Sequence, residues 1–297
     1  MKRNIYLKTI PPAEAVARVK ASIDREALIR EETIPSHEAS GRVLAHAVHA
    51  RYSSPTFHSA AMDGYAVNAR STFAAREGHP LTLKAGETCF AVNTGHPMPE
   101  GCDAVIMIEQ VMLDGGSVTI EAPAFPWQHV RRIGEDIVAT ELLFPRNHQL
   151  RPWDVGALLS GGIWDVPVWE RVTVRIIPTG DEVLDFTTHP DPGKGQVVES
   201  NSQMLAALAR ELGCVVERAA PVPDNPEALH QALKDSLDAG RHLTIFCAGS
   251  SAGSKDFTRA TLEKEGEILT HGIAAMPGKP SLLANCRGRL VAGAPGN

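Results

Sequence analysis

Val172-Thr173-Val174-Arg175-Ile176-Ile177 is a β-branched run, closed by Pro178-Thr179-Gly180-Asp181-Glu182, and its reading decides the fold. Downstream, Ser200 to Leu212 has helical spacing and is closed by Gly213, and Cys214 to Val216 extends again. Pro226 to Asp238 reads as a helix, with Asn225 as its N-cap, Pro226 in the first turn and Gly240 near its end. Leu243 to Cys247 is an apolar run too short for a helix, and Phe257 to Lys264 is helical again. Strand and helix alternate, which predicts a parallel sheet covered by helices over residues 171–297. In open sheets of this kind ligands bind outside the carboxyl ends of the strands.

Upstream the texture differs. Val16, Val19, Ile23 and Leu28 keep helical spacing and predict one helix over residues 12–30. From 43 to 132, short β-leaning pieces (Arg42 to Val48, Leu81 to Leu83, Ala104 to Met112, Ser117 to Ile120) alternate with turns such as Asp114-Gly115-Gly116. This is a β-rich module. Residues 133–170 hold a helix from Pro152 to Ser160 between extended pieces and, with residues 1–42, form a linking, partly helical domain.

The 297 residues are 43% hydrophobic and 22% charged, enough for two or more cores. No run approaches the roughly 18 apolar residues of a membrane span, and Lys8, Pro11 and Pro12 interrupt any signal-like stretch. Five cysteines, odd in number and without a C-x-x-C, argue against a disulfide framework and fit a reducing cytoplasm. A net charge of −6 gives no reason to expect nucleic acid as partner. His46 and His49 lack an H-E-x-x-H setting, no Ser lies in a G-x-S-x-G elbow, and neither Walker A nor G-x-G-x-x-G occurs.

The loops that follow the strands carry the chemistry. Thr179-Gly180-Asp181-Glu182 sets two carboxylates and a hydroxyl beside a glycine. Ala248-Gly249-Ser250-Ser251-Ala252-Gly253-Ser254-Lys255-Asp256 offers hydroxyls and a helix N-terminus suited to anions, although a tight turn with Asp256 as a cap is the commoner reading. Met276-Pro277-Gly278-Lys279-Pro280 frames one lysine for a phosphate or oxyanion, or is simply a strand-to-strand turn. In the β-rich part, Asp63-Gly64 reads first as a turn. Thr94-Gly95 could meet an anion, and Gly134-Glu135-Asp136 is a further acidic turn. Carboxylates beside anion-binding loops suit Mg²⁺ with a phosphorylated ligand.

In this order the motifs Ser59 to Val67, Thr94 to Pro99, Gly101 to Glu109, Ile133 to Ile137, Thr179 to Leu184, Glu199 to Leu205, Gly249 to Asp256, Pro277 to Pro280 and Pro295 to Asn297 resemble the molybdopterin molybdenumtransferase family. These are the MoeA-like proteins, to which the E domain of gephyrin is similar. The resemblance implies an elongated multidomain chain with a β-rich lobe and a three-layer, MogA-like α/β domain. It implies insertion of molybdate into adenylylated molybdopterin with Mg²⁺-dependent release of AMP, in the cytoplasm. The partners implied are a second copy, in a homodimer that shares its active site between subunits, and a molybdopterin adenylyltransferase as donor.

Carried over residue by residue, the catalytic set is Asp63, Thr94, Asp136, Glu182, Asp256 and Lys279. Substrate would meet Gly95, Thr179, Gly180, Asp181, Asn201, Gly249, Ser250, Ser251, Gly253 and Pro280, and metal would meet Glu182, Glu199 and Asp256. Family members continue past Pro-Gly-Asn into a small β domain, so the 297 residues read as the first three domains of a longer protein. The chain departs from the family pattern at Ala139, Ala248, Ser254 and Met276. Those departures keep open a second function, a binding or scaffold module for pterin or oxyanion without turnover.

Overall fold

The computed structural model describes residues 8–247 and 257–295. The chain forms two compact units, one from Met1–Glu32 together with Trp169–Asn297 and the other from Thr33–Val168. Among the described residues no helix is long and apolar enough to cross a membrane.

The first unit is the α/β architecture that the strand–helix alternation calls for. Its elements are α1 (Pro12–Ser22), β1 (Thr173–Pro178), α2 (Asn201–Glu211), β2 (Val215–Arg218), α3 (Pro226–Asp238), β3 (Leu243–Cys247), α4 (Phe257–Glu265), β4 (Gly266–His271), β5 (Leu282–Cys286) and β6 (Arg289–Ala294). The strands lie in the order β2-β1-β3-β6-β5-β4. The first four are parallel, and β5 runs against both β6 and β4.

Helices cover both faces of this sheet. Leu229, Leu233 and Leu237 recur every fourth residue on α3 and pack with Leu262 of α4 on Ile177, Phe246, Leu282 and Val291. Each such leucine contributes about 2 kcal/mol by leaving water. On the opposite face Ala206 and Leu205 of α2 meet Val174, Ile176 and Cys247. The same helix begins at Asn201 and stops before Gly213, whose φ of +84° continues the chain in a left-handed turn. Asn225 Oδ1 caps α3 by accepting from the Ala228 N–H at 2.7 Å. The strands β2 and β3 flank β1 on opposite sides, so the chain reverses its winding there and opens a crevice at the carboxyl ends of β1 and β3.

The helix expected over residues 12–30 is shorter. It ends at Ser22, Ile23 is extended, and Asp24 Oδ1 accepts from the Glu26 and Ala27 N–H groups to start a separate turn, Arg25–Leu28. A side chain that caps a new start breaks the apolar periodicity that joined the two. Within the unit, α1 lies against β4 and β5. Arg18 Nη1 donates to the Leu269 carbonyl at 2.9 Å and Asn285 Nδ2 to the Ser22 carbonyl at 2.6 Å.

The Thr33–Val168 unit is mainly β. Gly64–Val67 is the middle strand between Cys89–Val92 and Ala104–Met107, all antiparallel. A second sheet orders Leu81–Lys84, Ser117–Ile120 and Val111–Asp114. Val67, Cys89 and Ile106 from the first sheet share a core with Leu83, Val118 and Ile120 from the second. The single strand expected from Ala104 to Met112 is cut by a 3₁₀ turn at Ile108–Gln110, which carries the chain from one sheet to the other. The strand expected from Arg42 to Val48 is reduced to Val48–His49, with Val43 and Leu44 making isolated bridges.

An ion cluster centred on the buried Asp154 starts the helix Pro152–Ser160. Asp154 accepts from His148 Nε2 at 2.8 Å and from the Arg151 N–H at 2.9 Å and Nε at 3.1 Å. Burial pushes its carboxyl up, but the Arg151 guanidinium, His148 and the Arg151 amide outweigh this and hold it at about 2. A folded-state value below the unfolded one adds stability at all pH above the unfolded value, lost as pH falls through about 2. The Asp154 shift corresponds to about 2 kcal/mol. Urea midpoints measured from pH 5 down to pH 2 should therefore fall less steeply in Asp154→Asn than in wild type.

Candidate functional site: the carboxyl edge of the sheet

Strand register decides which loops of the α/β unit share an edge. Cys247 at the end of β3 pairs with Ala294 at the end of β6, Gly293 pairs with Leu282 at the start of β5, and Leu282 pairs with His271 at the end of β4. The loop after β1, the loop after β2 and the turn 272–281 therefore all lie at the carboxyl edge.

After β1, Thr179 is fully buried, and both its N–H (2.9 Å) and its hydroxyl (3.2 Å) donate to the Cys247 carbonyl. That hydroxyl ties β1 to β3, so Thr179 can offer a ligand little beyond its backbone. Gly180 has φ +138°, and a Cβ there would sit 3.0 Å from both Glu182 carboxylate oxygens. The glycine thus lets the Glu182 carboxylate fold back over the backbone, and no other side chain competes for it among the described residues. Asp181 Oδ1 accepts from the Asp224 N–H at 3.1 Å and so pins the β1 loop to the β2 loop.

Glu199 and Asn201 bracket the start of α2. Glu199 is buried and its oxygens accept from the Ser202 N–H at 2.6 Å, the Ser202 hydroxyl, and Arg218 Nη2 at 3.3 Å. A carboxylate engaged by a helix start and a guanidinium does not fit the metal-ligand role that the resemblance implies for it. Glu182 does fit: it is exposed, oxygen-bearing and open, as a Mg²⁺ ligand needs to be. Among the described residues no three His, Cys, Asp or Glu converge as a metal cluster. Asp256, the other carboxylate of that set, lies outside the described residues together with Gly249, Ser250, Ser251 and Gly253. The neighbouring Cys247 thiol is pushed up to about 12 by burial and by the Glu199 charge, so it is inert.

The lysine loop is a strand-to-strand turn between β4 and β5. Its base is fixed by Gly272 N–H to the Ser281 carbonyl and Ile273 N–H to the Lys279 carbonyl, both 2.9 Å. Gly278, at φ +107°, turns the tip, and Ser281 donates its hydroxyl to the Gly278 carbonyl at 2.7 Å. The Lys279 side chain is exposed at this edge without a hydrogen-bonded or ion-paired partner among the described residues, and Pro280 follows it. Met276 is almost fully exposed.

In the β-rich unit, Asp63-Gly64 is not a turn. Gly64 opens the central strand, and a Cβ there would lie 2.0 Å from the Ile106 carbonyl oxygen, so the close approach of a neighbouring strand requires glycine. Gly64 pairs with Val92, which sets Asp63 beside the residues after that strand. Asp63 Oδ1 accepts from the Thr94 N–H at 2.7 Å and the Thr94 hydroxyl at 3.1 Å. The Thr94 amide, then its hydroxyl, hold this carboxyl below the usual range and keep it ionised. Gly95, at φ +86°, donates its N–H to the Ala60 carbonyl at 2.8 Å. Asp136 receives Arg131 Nη2 on both oxygens at 2.7 and 3.0 Å, and Arg131 pairs with Ser59 across two short strands. The segment Ser59–Asp63 is thus the common support for the Thr94 and Asp136 loops.

The residue that sequence reasoning missed is Arg218, at the carboxyl end of β2. Nothing in Val215-Val216-Glu217-Arg218 separates it from a surface arginine, because its partners Asp185, Glu199 and Ser202 lie 16 to 33 positions away.

Comparison with known proteins matches residues 10–162 to the MoeA N-terminal region (domain I and II) and residues 175–297 to a probable molybdopterin binding domain. The chain is 31% identical over 285 residues to the molybdopterin molybdenumtransferase of Synechococcus elongatus, covering 90% of this chain and 70% of that one. It is 32% identical over 286 residues to the protein of the same name from Haemophilus influenzae, covering 90% and 68%. Crystal structures of the molybdopterin biosynthesis MoeA protein of Pyrococcus horikoshii superpose with TM-scores of 0.82 and 0.78 at 28% and 27% identity. They cover 97% of this chain and 75% and 74% of theirs.

Proposed function

This chain belongs to the MoeA family of molybdopterin molybdenumtransferases, which act in molybdenum cofactor biosynthesis, and on that premise we propose that it inserts molybdate into adenylylated molybdopterin and releases AMP in a Mg²⁺-dependent step. The observation that carries this reading is the open Glu182 carboxylate on the sheet edge that also bears Lys279.

A polyanionic substrate needs donors and cations. The Asp181 and Glu182 N–H groups that follow Gly180, the Asn201 amide and the hydroxyls and amides of Gly249, Ser250, Ser251 and Gly253 would supply the donors, with Asp181 and Thr179 shaping the loop. Lys279, oriented by Pro280, meets phosphate or molybdate as a point charge. A divalent cation such as Mg²⁺, held by Glu182 and Asp256, would offset charge on the phosphate that leaves with AMP. Asp63, kept ionised by Thr94, and Asp136, which holds Arg131 on both of its oxygens, complete the catalytic set with Thr94 from the β-rich unit.

Asp63, Thr94 and Asp136 belong to a different unit from Glu182 and Lys279. A homodimer in which the β-rich unit of one subunit serves the α/β unit of its partner accounts for that division. A molybdopterin adenylyltransferase is the donor this chemistry requires, and the cytoplasm is the setting.

The test is AMP release from adenylylated molybdopterin by purified protein, with Mg²⁺ and with molybdate or tungstate. Release that depends on both oxyanion and Mg²⁺ is expected. Tight pterin binding with no AMP release would instead make the protein a binding module.

A further inference from the structure

The excursion between β1 and α2 is long, acidic and built on little of its own. Val183–Leu184 pairs with Val197–Val198 in a two-residue parallel ladder, the Val197 N–H donates to the Glu182 carbonyl at 2.9 Å, and the Glu199 N–H to the Leu184 carbonyl at 3.0 Å. So short a ladder is not stable alone. The two residues that immediately leave it are Asp185 and Glu199, and both carboxylates converge on one guanidinium. Arg218 Nη2 lies 3.3 Å from Asp185 Oδ1 and 3.3 Å from Glu199 Oε2. Its Nε donates to Ser202 Oγ at 2.9 Å, and its carbon centre lies 4.6 Å from the Phe186 ring centroid. With 14% of its side chain exposed, Arg218 is largely withdrawn from water. Without it, two carboxylates would repel each other across the neck of the loop.

The geometry points to Arg218 as the positioning residue of this site: a clamp on both ends of the 185–199 excursion that fixes the backbone of Glu182 and so aims its carboxylate. The inference rests on Glu182 holding the divalent cation. Arginine is required because one planar fork must serve two carboxylates and a hydroxyl while stacking on a ring, which an ammonium cannot do.

Two measurements on the intact chain test this. In Arg218→Gln, hydrogen exchange at the Val197 and Glu199 amides should accelerate roughly tenfold, while amides of β1, β3 and β6 keep wild-type protection. The dissociation constant for Mn²⁺ alone, followed by its paramagnetic resonance, should rise about tenfold, as for removal of a group that supports a ligand. Asp185→Asn, a gentler change, should move both in the same direction by less, and Arg218→Lys should not restore either fully. If Glu182→Gln weakens Mn²⁺ binding and Arg218→Gln does not, the clamp is overturned and the cation site stands. If Glu182→Gln leaves Mn²⁺ binding unchanged, the cation site itself falls, and the aiming role falls with it. Unchanged exchange at Val197 and Glu199 in Arg218→Gln would overturn the clamp on its own.

Discussion

Replacing Glu182 by Gln is expected to reduce AMP release by about 100-fold or more while leaving the fold intact. The side chain has the same shape, so the return of the loop over Gly180, where both carboxylate oxygens lie 3.0 Å from the position of a Cβ, is retained. What is removed is the charge. Glu182 has no arginine or lysine partner among the described residues, so its charge does no structural work that Gln would lose. The neighbouring Asp181, which holds the Asp224 amide, keeps the β1 and β2 loops together. The variant should therefore melt like wild type and require much more Mg²⁺ for half-maximal rate. Single-turnover AMP release across a Mg²⁺ titration measures this. A wild-type rate at every Mg²⁺ concentration would remove Glu182 from the chemistry.

Gly64→Ala is expected to destabilise the β-rich unit by about 3 kcal/mol or more. The added methyl would meet the Ile106 carbonyl oxygen at 2.0 Å and the Ile106 carbonyl carbon at 2.9 Å, which are backbone atoms of the paired strand and cannot rotate away. Relief requires the strand pair Gly64–Val67 and Ala104–Met107 to separate, which loosens the shared core of Val67, Ile106 and Ile120. It also shifts Asp63 from the Thr94 amide, so a site residue is displaced by a packing change next to it. Gly156→Ala is the contrasting control. It is exposed, sits inside the helix Pro152–Ser160, and has nothing within 4 Å of the added carbon. It should stabilise by about 0.5–1 kcal/mol through helix propensity. Urea denaturation of both variants checks the opposite signs.

Local signals carried the α/β unit well. The alternation of Val172 to Ile177, the cap at Asn225 and the short apolar run at Leu243 each report a feature fixed within a dozen residues, and β1, α3 and β3 follow them. Signals failed where the deciding partner is distant. Asp63-Gly64 looks like a turn because Asp-Gly usually is one, and only the approach of Ile106 from the next strand shows why glycine is there. The helix at Pro12 is legible from its own spacing, but the sheet it covers is decided by Leu269 and Asn285, far along the chain. The candidate site residues stand in the sequence as an ordered set of motifs and not as a constellation. Glu199 looks like any other acidic ligand until Ser202 and Arg218 are seen on its oxygens.

The order of strands in the α/β sheet has a consequence in time. β6, the last strand of the sheet in chain order, occupies an interior position between β3 and β5, and α1 must wait for β4 and β5 before it has a surface to cover. During synthesis, therefore, β3 and β5 each present an unpaired edge until residues 289–294 have left the ribosome, while Thr33–Val168 is contiguous and has all its own strands long before. The β-rich unit is free to finish folding first, and the α/β unit is joined from both ends of the emerging chain. Exposed edges of that kind invite pairing with other chains, so the α/β unit is open to misassembly in the interval between synthesis of β3 and of β6.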